Sequence, residues 1–385
     1  MTDGPPSGGG RRVLLAVEQL RRRVPGGIGR YATGVLEGLA QLEADTETGV
    51  AVSLLASRAR PGGPDPLASF GRPVVASRLG GPALTRAWDH RLVTAPGGFD
   101  VVHSVSLGGP ARPRGGGRRP ASVVTVHDVA WRRHPESTTR RGRRWHEAAL
   151  RRALAGADVL VVPSDPVAAD LAEAGARSDR VVVIAEGADH LAPPDAAGAA
   201  RLLAERGVVG PYVLSVGTLE PRKNLPRLVE AHRLARGRLP GPWPLVLVGP
   251  AGWGTSPDAR SAPPGVVLLG QVGDAVLAGL YAGAALFAYV PLVEGFGLPP
   301  LEAMAAGVPT VVSRTVPSVA PSGTAAPASR LVDPGDPDDV AAGLVEVAGD
   351  DGLAASLVAA GSARVRDLTW RRTAAHHVAL WRSLR

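Results

Sequence analysis

Short apolar runs alternate with helical patterns along the whole chain, and that alternation is the signature of an α/β fold with parallel sheets. In the first half, strands are expected at Arg12–Val17, Val50–Leu55, Val74–Ala76, Val101–Ser104, Val123–His127, Val159–Pro163 and Val181–Ile184. Helices are expected there at Ile28–Leu42, Thr138–Ala155 and Pro166–Ala174. The second half repeats the rhythm, with strands at Tyr212–Val216, Leu245–Gly249, Val266–Leu269, Ala285–Val290 and Thr310–Ser313. Its helices are expected at Asn224–Arg236, Ala275–Ala282, Asp338–Ala348 and Leu353–Val365, followed by an amphipathic helix from Trp370 to Leu384. At 385 residues the chain exceeds one ordinary core, so two domains are expected. The stretch Glu186 to Gly210, rich in Gly, Pro and polar residues, reads as the connection between them. The boundaries that follow are a loose tail at 1–10, a first domain at 11–188, a linker at 189–210, a second domain at 211–367 and a C-terminal helix at 368–385. Gly/Pro loops at Pro61–Pro66 and Gly108–Pro120 read as surface connections.

One phrase carries most of the chemistry: Glu294-Gly295-Phe296-Gly297-Leu298-Pro299-Pro300-Leu301-Glu302. It follows a buried strand and opens a helix. Gly295 and Gly297 let the backbone turn sharply and bring bare N–H groups close to a ligand. Pro299 or Pro300 suits the first helical position, which needs no amide hydrogen, so Glu302 lies in the opening turn. Carboxylates accept from hydroxyls, while amides and the helix N-terminus face negative oxygen. A ligand that is both hydroxyl-rich and anionic fits this set. If Glu302 served only the helix dipole it would contribute ~0.3–1 kcal/mol, against roughly 1.5–3 kcal/mol for a carboxylate bonded to a sugar hydroxyl.

Composition sharpens one further position. The formal charge is +8, yet the chain has a single lysine, Lys223, and every other basic residue is arginine. Such bias weakens any argument from basicity to nucleic-acid binding. It makes the lysine's place informative, because a flexible ammonium and a planar guanidinium are not interchangeable at a phosphate. Lys223 stands in Gly217-Thr218-Leu219-Glu220-Pro221-Arg222-Lys223-Asn224, just past a strand and just before a helix. Two cations there oppose the helix dipole unless a bound diphosphate turns the penalty into attraction.

These phrases resemble the E-x7-E signature and the E-P-R-K-N element of retaining glycosyltransferases of the GT-B fold, glycosyltransferase family 4 (group 1), within the mannosyltransferase-like subgroup. The resemblance covers most of the chain and is strongest from Leu214 to Val312. It implies two Rossmann-like parallel-sheet domains facing each other across a cleft, with the C-terminal helix crossing back onto the first. By resemblance Glu294, Gly295, Phe296, Gly297 and Leu298 contact the donor sugar, and Glu302 binds the nucleotide ribose. Arg222 and Lys223 neutralise the donor diphosphate, with Thr218 beside them. Many relatives have an arginine at the position of Thr218, which shifts that burden onto the two cations. The segment Gly26-Gly27-Ile28-Gly29-Arg30-Tyr31 resembles the family's GGxGRY loop, which places Gly27 and Gly29 at phosphate or acceptor.

Read without the family, Gly27-x-Gly29-x-x-Ala32 matches a dinucleotide fingerprint. That fingerprint needs the glycines tight against the first strand and an acid ending the second. Here Glu18 to Pro25 intervene and the second strand ends Leu54-Leu55-Ala56-Ser57, so NAD binding is rejected. His127, in Thr125-Val126-His127-Asp128, ends a strand where α/β folds place ligand groups; from residues alone a core histidine fits as well. The family's histidine at the matching strand end lies beside the donor sugar, which makes His127 a site residue. The cluster Asp333-Pro334-Gly335-Asp336-Pro337-Asp338-Asp339 reads as a turn plus helix capping.

The expected activity is therefore transfer of a hexose, best matched to mannose from GDP-mannose, with retention of configuration, to a hydroxyl of a glycan, lipid-linked or small-molecule acceptor. The nucleotide sugar is a co-substrate; neither a cofactor nor a metal is expected. The alternatives are a hydrolysing sugar-nucleotide epimerase of the same fold and a catalytically silent GT-B binding protein. The chain has no cysteine, so disulfides and thiol chemistry are excluded. No apolar run approaches the ~20 residues a bilayer span requires. A cytoplasmic protein is expected, without nucleic-acid partners. The arginines from Arg132 to Arg152, interleaved with Trp131 and Trp145, leave open peripheral binding to an anionic membrane at its inner face.

Overall fold

The computed structural model describes residues 10–22, 24–60, 62–112, 119–252, 262–321 and 326–384. All of the expected tail at 1–10 except Gly10, and 61 and 113–118 within the two expected loops, lie outside the described residues. By its contacts the chain divides into two compact units: Met1–Val129 with Thr139–Gly187 and Trp370–Arg385, and Ala130–Thr138 with Ala188–Thr369.

The first unit is built on seven parallel strands: β1 (Arg11–Ala16), β2 (Val50–Ala56), β3 (Val74–Ala76), β4 (Val101–Ser104), β5 (Ala121–Thr125), β6 (Val159–Val162) and β7 (Val181–Val183). Their order is β3-β2-β1-β4-β5-β6-β7. The second unit has six, in the order β10-β9-β8-β11-β12-β13. These are β8 (Val213–Val216), β9 (Leu245–Val248), β10 (Val266–Gly270), β11 (Leu286–Tyr289), β12 (Thr310–Ser313) and β13 (Arg330–Val332). All their pairings are parallel. The central strands β4, β6, β9, β11 and β12 are buried along their whole length, as expected of apolar runs covered by helices on both faces. Both orders reverse direction once, between β1 and β4 and between β8 and β11. Outside the carboxyl ends of the strands at such a reversal, open α/β sheets bind ligands.

The C-terminal helix, Trp370–Ser383, belongs to the first unit and packs on the helix Gly26–Asp45. Two glycines make the approach possible. A Cβ at Gly34 would sit 2.2 Å from the Trp370 indole, and one at Gly38 would sit 2.1 Å from the Trp370 carbonyl oxygen. Spaced four apart, they form a small-residue stripe on one helix face. Trp370 and Trp381 are fully buried as a result.

A chain of hydrogen bonds fastens the same helix to the sheet, and donor chemistry sets the direction of its first two links. The Trp381 indole can only donate, so His103 Nδ1, 3.2 Å away, accepts and carries no proton. His103 Nε2 then donates to Thr125 Oγ1 at 2.9 Å. Thr125 Oγ1 and the Tyr31 hydroxyl are bonded at 3.1 Å, and Tyr31 is bonded to His377 Nε2 at 2.9 Å. His377 Nδ1 is buried without a partner among the described residues. Burial holds His377 neutral, its pKa pushed down to about 3.

Three elements depart from expectation. The stretch read as a linker at 189–210 contains the helix Ala196–Glu205, which belongs to the second unit and packs on the helix Asp274–Gly283. Asp195 caps it through a bond from Gly198 N. The helix Gly81–Asp89 was hidden behind its opening Gly-Pro, and β13 by having only three residues, one of them arginine. The aspartates of 333–339 do serve turn and cap: Asp333 accepts from Gly335 N, and Asp336 accepts from Asp338 N and Asp339 N at the start of Pro337–Gly349.

Gly38→Ala should destabilise the first unit by roughly 1–3 kcal/mol, since the added methyl meets backbone that cannot swing aside. Urea denaturation checks this; an unchanged midpoint would mean that the two helices part without cost.

Candidate functional site

The loops that leave β8 and β11 flank the reversal point of the second sheet, and they bring together the charged residues singled out in the sequence. After β8 the chain runs through Gly217 and Thr218 into a turn at Pro221–Lys223, then into the helix Leu225–Ala235. Gly249 permits a close approach here: a Cβ on it would lie 2.0 Å from the Gly217 carbonyl oxygen. Asn224 adopts a left-handed conformation, φ 57°. Its side-chain amide donates to the carbonyls of Val290 and Pro334, tying the helix start to the end of β11. Leu292 N donates to Arg222 O at 2.9 Å and joins the two loops directly.

Four side chains meet on this frame. Lys223 Nζ donates to Glu294 Oε1 and, at 2.6 Å, to the Tyr289 hydroxyl. Tyr289 donates to the same Glu294 oxygen at 2.8 Å, and Arg222 NH1 reaches it at 3.1 Å. Arg222 Nε is also held by Glu220 Oε1 at 2.5 Å. The Lys223 and Glu294 side chains are only 10% and 9% exposed, so water screens the cluster little. Burial would raise the Glu294 pKa, but the charges of Arg222 and Lys223 and the bonds from Lys223 and Tyr289 outweigh it and bring it to about 2. Burial and the neighbouring Arg222 lower the Lys223 pKa, with Glu294 opposing. Burial and then Glu294 hold the Tyr289 phenol well above its usual range. A small cavity beside the cluster is lined by Ser215, Gly217, Leu219, Lys223 and Tyr289.

The glycine loop follows at once. Gly297 has φ 101°, and a Cβ on it would meet Val316 Cγ1 at 2.4 Å, so no side chain fits. Ser318 fixes the loop: its amide donates to Phe296 O and its hydroxyl to Gly297 O. Gly295, Phe296, Gly297 and Leu298 are all buried. The helix Leu298–Ala305 starts with its prolines in the first turn and carries Glu302 inward. Both Glu302 oxygens are engaged, Oε1 by His190 Nε2 at 2.8 Å and Oε2 by the Tyr281 hydroxyl at 2.7 Å.

The remaining expected site residues lie in the first unit. Gly27 is exposed in the first turn of Gly26–Asp45, with open space where a side chain would be. Gly29 is buried, and a Cβ there would sit 2.2 Å from Pro25 Cβ, so it serves the turn itself. His127 stands just past β5, its Nε2 donating to Val105 O at 2.8 Å and its Nδ1 3.5 Å from Glu186 Oε1. The tryptophans of the arginine-rich segment do not face outward as an interfacial belt would: Trp131 is buried, and Trp145 Nε1 donates to Asp89.

Sequence reasoning missed Tyr289, Tyr281, His190 and Glu186. Tyr289 ends an apolar run, and a phenol at a strand end was the available signal. His190 lies in the stretch read as linker, and nothing local marks it.

Residues 210–350 match the family described as Glycosyl transferases group 1, and residues 25–190 match Glycosyltransferase Family 4. The chain is 31% identical over 260 residues to O-antigen chain mannosyltransferase B of Escherichia coli, covering 65% of this chain and 67% of that protein. It is 29% identical over 185 residues to serotype-specific mannosyltransferase WbdA of E. coli, 44% of this chain but only 21% of the relative. Among solved structures, sucrose-phosphate synthase of Thermosynechococcus elongatus matches with TM-score 0.70 at 22% identity, over 97% of this chain and 99% of that one. HepE of Anabaena in complex with UDP matches with TM-score 0.65 at 18% identity, over 97% and 100%. Likeness at those identities speaks to the fold.

Glu294 has a depressed pKa in the folded chain, so its contribution to stability is present above its ordinary 4.5 and is lost as pH falls toward about 2. Glu294→Gln should therefore be less stable than the parent at pH 7, and the gap should narrow between pH 5 and pH 3. Paired thermal melts across that range check it; a pH-independent gap would contradict the ion cluster.

Proposed function

The chain belongs to glycosyltransferase family 4 and is a glycosyltransferase of the GT-B fold; from that premise we propose that it transfers mannose from GDP-mannose, with retention, to a hydroxyl of a glycan or lipid-linked acceptor. The observation that carries this reading is the convergence of Arg222 and Lys223 on Glu294 at the reversal point of the second sheet. The two cations both donate to the carboxylate. A donor diphosphate offers them more negative charge, so they turn to it and release Glu294 Oε1 to the sugar hydroxyls, with Tyr289 still holding the carboxylate in place.

As the sugar–phosphate bond breaks, charge builds on the leaving diphosphate, and preformed cations in a poorly hydrated pocket stabilise it without reorganisation. The acceptor hydroxyl attacks from the side the diphosphate leaves, and its proton passes to that diphosphate. Glu294 orients the sugar and forms no covalent bond. Glu302, fixed by His190 and Tyr281, is oriented to receive ribose hydroxyls. Thr218, Gly295, Phe296, Gly297 and Leu298 form the donor wall; for Gly27 and His127 a part in the same reaction rests on the family likeness, and Gly29 shapes the turn that carries Gly27. The two cations supply the charge that a metal would otherwise bring, so turnover is expected to persist in a chelator. The likeness to mannosyltransferases supports mannose as the sugar.

Among the described residues no helix is long and apolar enough to cross a membrane. Arg140, Arg141, Arg143, Arg144 and Arg151 are exposed on the helix Arg140–Gly156, and we place a peripheral contact with anionic lipid there. Such a contact is electrostatic. Binding in a flotation assay with anionic vesicles should fall steeply as salt rises; no binding at low salt would remove the membrane from this reading.

Lys223→Ala and Glu294→Ala should each lower mannosyl transfer by ~10²-fold or more while leaving the fold intact. A transfer assay with GDP-mannose beside UDP- and dTDP-sugars checks donor and residues together. Parental rates in either variant would refute the assignment, and preference for another donor would correct the sugar nucleotide.

A further inference from the structure

The first unit holds a buried carboxylate that no step above uses. Glu186 follows β7 and is 5% exposed, and its Oε1 lies 3.5 Å from Nδ1 of His127. The other imidazole nitrogen is already committed. Nε2 lies 2.8 Å from the carbonyl oxygen of Val105, which can only accept, so Nε2 carries a proton. If Nδ1 were bare, its lone pair would face a carboxylate with nothing between them to bond. We propose that Glu186 is a positioning residue: it keeps His127 protonated on both nitrogens, so that His127 enters the reaction as a fixed cation donating from Nδ1 to a ligand oxygen and not as a base.

The two nitrogens have different tasks. The Nε2 bond is of ordinary length and locks the ring to the end of β4. The Nδ1 contact is long, so a ligand oxygen arriving beside Glu186 can share this N–H without the ring turning, while the carboxylate still stabilises the charge. The Tyr31 ring meets the imidazole edge-on, centroids 4.8 Å apart and planes at 82°, and restricts its rotation. The other titratable groups around His127 agree with a cation there. Asp128, its neighbour on the chain, acts on His127 in the same direction as Glu186. His103, from β4, is pushed well below its usual range by burial first and stays neutral. Burial alone would lower the His127 pKa as well, but the bond and charge of Glu186, the Val105 carbonyl and Asp128 raise it.

The inference rests on the glycosyltransferase reading for what the cation does, though not for its existence, and the test separates the two. Histidine ring signals are followed by NMR against pH in the parent chain, in Glu186→Gln and in His127→Gln, the last assigning the resonance. His127 should carry both ring protons at pH 7 in the parent. Its midpoint should fall by about one to three units in Glu186→Gln. Transfer by that variant should drop about tenfold at pH 7.5 and recover as the pH is lowered through the new midpoint. A residue that merely supported the fold would lose activity equally at every pH, and thermal melts show whether Glu186→Gln is folded. A His127 that titrates at or below the ordinary histidine value, or a midpoint indifferent to Glu186→Gln, overturns the inference even if the chain proves an active mannosyltransferase. The expected titration in a chain that transfers no sugar would leave the ion pair standing and overturn only the role given to it.

Discussion

One carboxylate oxygen, Glu294 Oε1, receives hydrogen bonds from Lys223, Tyr289 and Arg222, and much of the second unit is arranged so that this can happen. Leaving a charged group in a nearly dry site without partners would cost several kcal/mol. Each partner therefore has to be delivered from its own element. β11 ends in Tyr289, the loop after it supplies Glu294, and the turn after β8 supplies both cations. Asn224 and the Leu292–Arg222 backbone bond hold those loops in register. In a cluster closed on itself like this, the carboxylate already has partners for its charge. In the reaction proposed above, a sugar diphosphate would redistribute these charges, so its binding would exchange one set of ion pairs for another and would not have to create a set from nothing.

Close backbone approach is the second recurring device, and it works in both units. Gly249 lies under the Gly217 carbonyl, Gly297 under Val316, and Gly34 and Gly38 under Trp370. In the second unit these contacts shape loops at the reversal of the sheet. In the first they let the C-terminal helix settle deeply enough for Trp381 and His377 to reach β4 and β5 through the Tyr31–Thr125–His103 chain. The orphaned Nδ1 of His377 is the cost of that depth. A fully satisfied polar network would specify the docking more cheaply, so the apolar packing of Trp370 and Trp381 has to supply the difference.

How much of this was legible in the sequence follows from the range of each interaction. The strand–glycine loop–helix around Glu294 and Glu302 has a local signature: the two carboxylates, the glycines and the prolines lie within nine positions, so spacing alone reveals it. Lys223 was visible because the rest of the chain uses arginine. By contrast, His190 reaches Glu302 across 112 positions, and Glu186 reaches His127 between separate loops of one sheet. No periodicity encodes such pairings. The helix Ala196–Glu205 was obscured for a related reason. Its alanines and flanking prolines resemble a linker, and what makes it a helix is tertiary: a Cβ at Gly279 would meet Asp195 O at 2.5 Å and the Ala199 methyl at 3.0 Å, so the two helices fit only because both surfaces are small.

The same distinction explains why the basic segment at 132–152 misleads when read as composition. Arginine beside tryptophan suggests an interfacial belt, but the aromatic half of that pattern is spent inside the molecule. Trp145 and Arg152 both close on Asp89, and Trp131 is covered. What remains outside is charge without an apolar wedge. A surface of that kind attracts phosphate by Coulomb forces and has little to insert among acyl chains, so any lipid it meets would be held at the headgroup and released by salt.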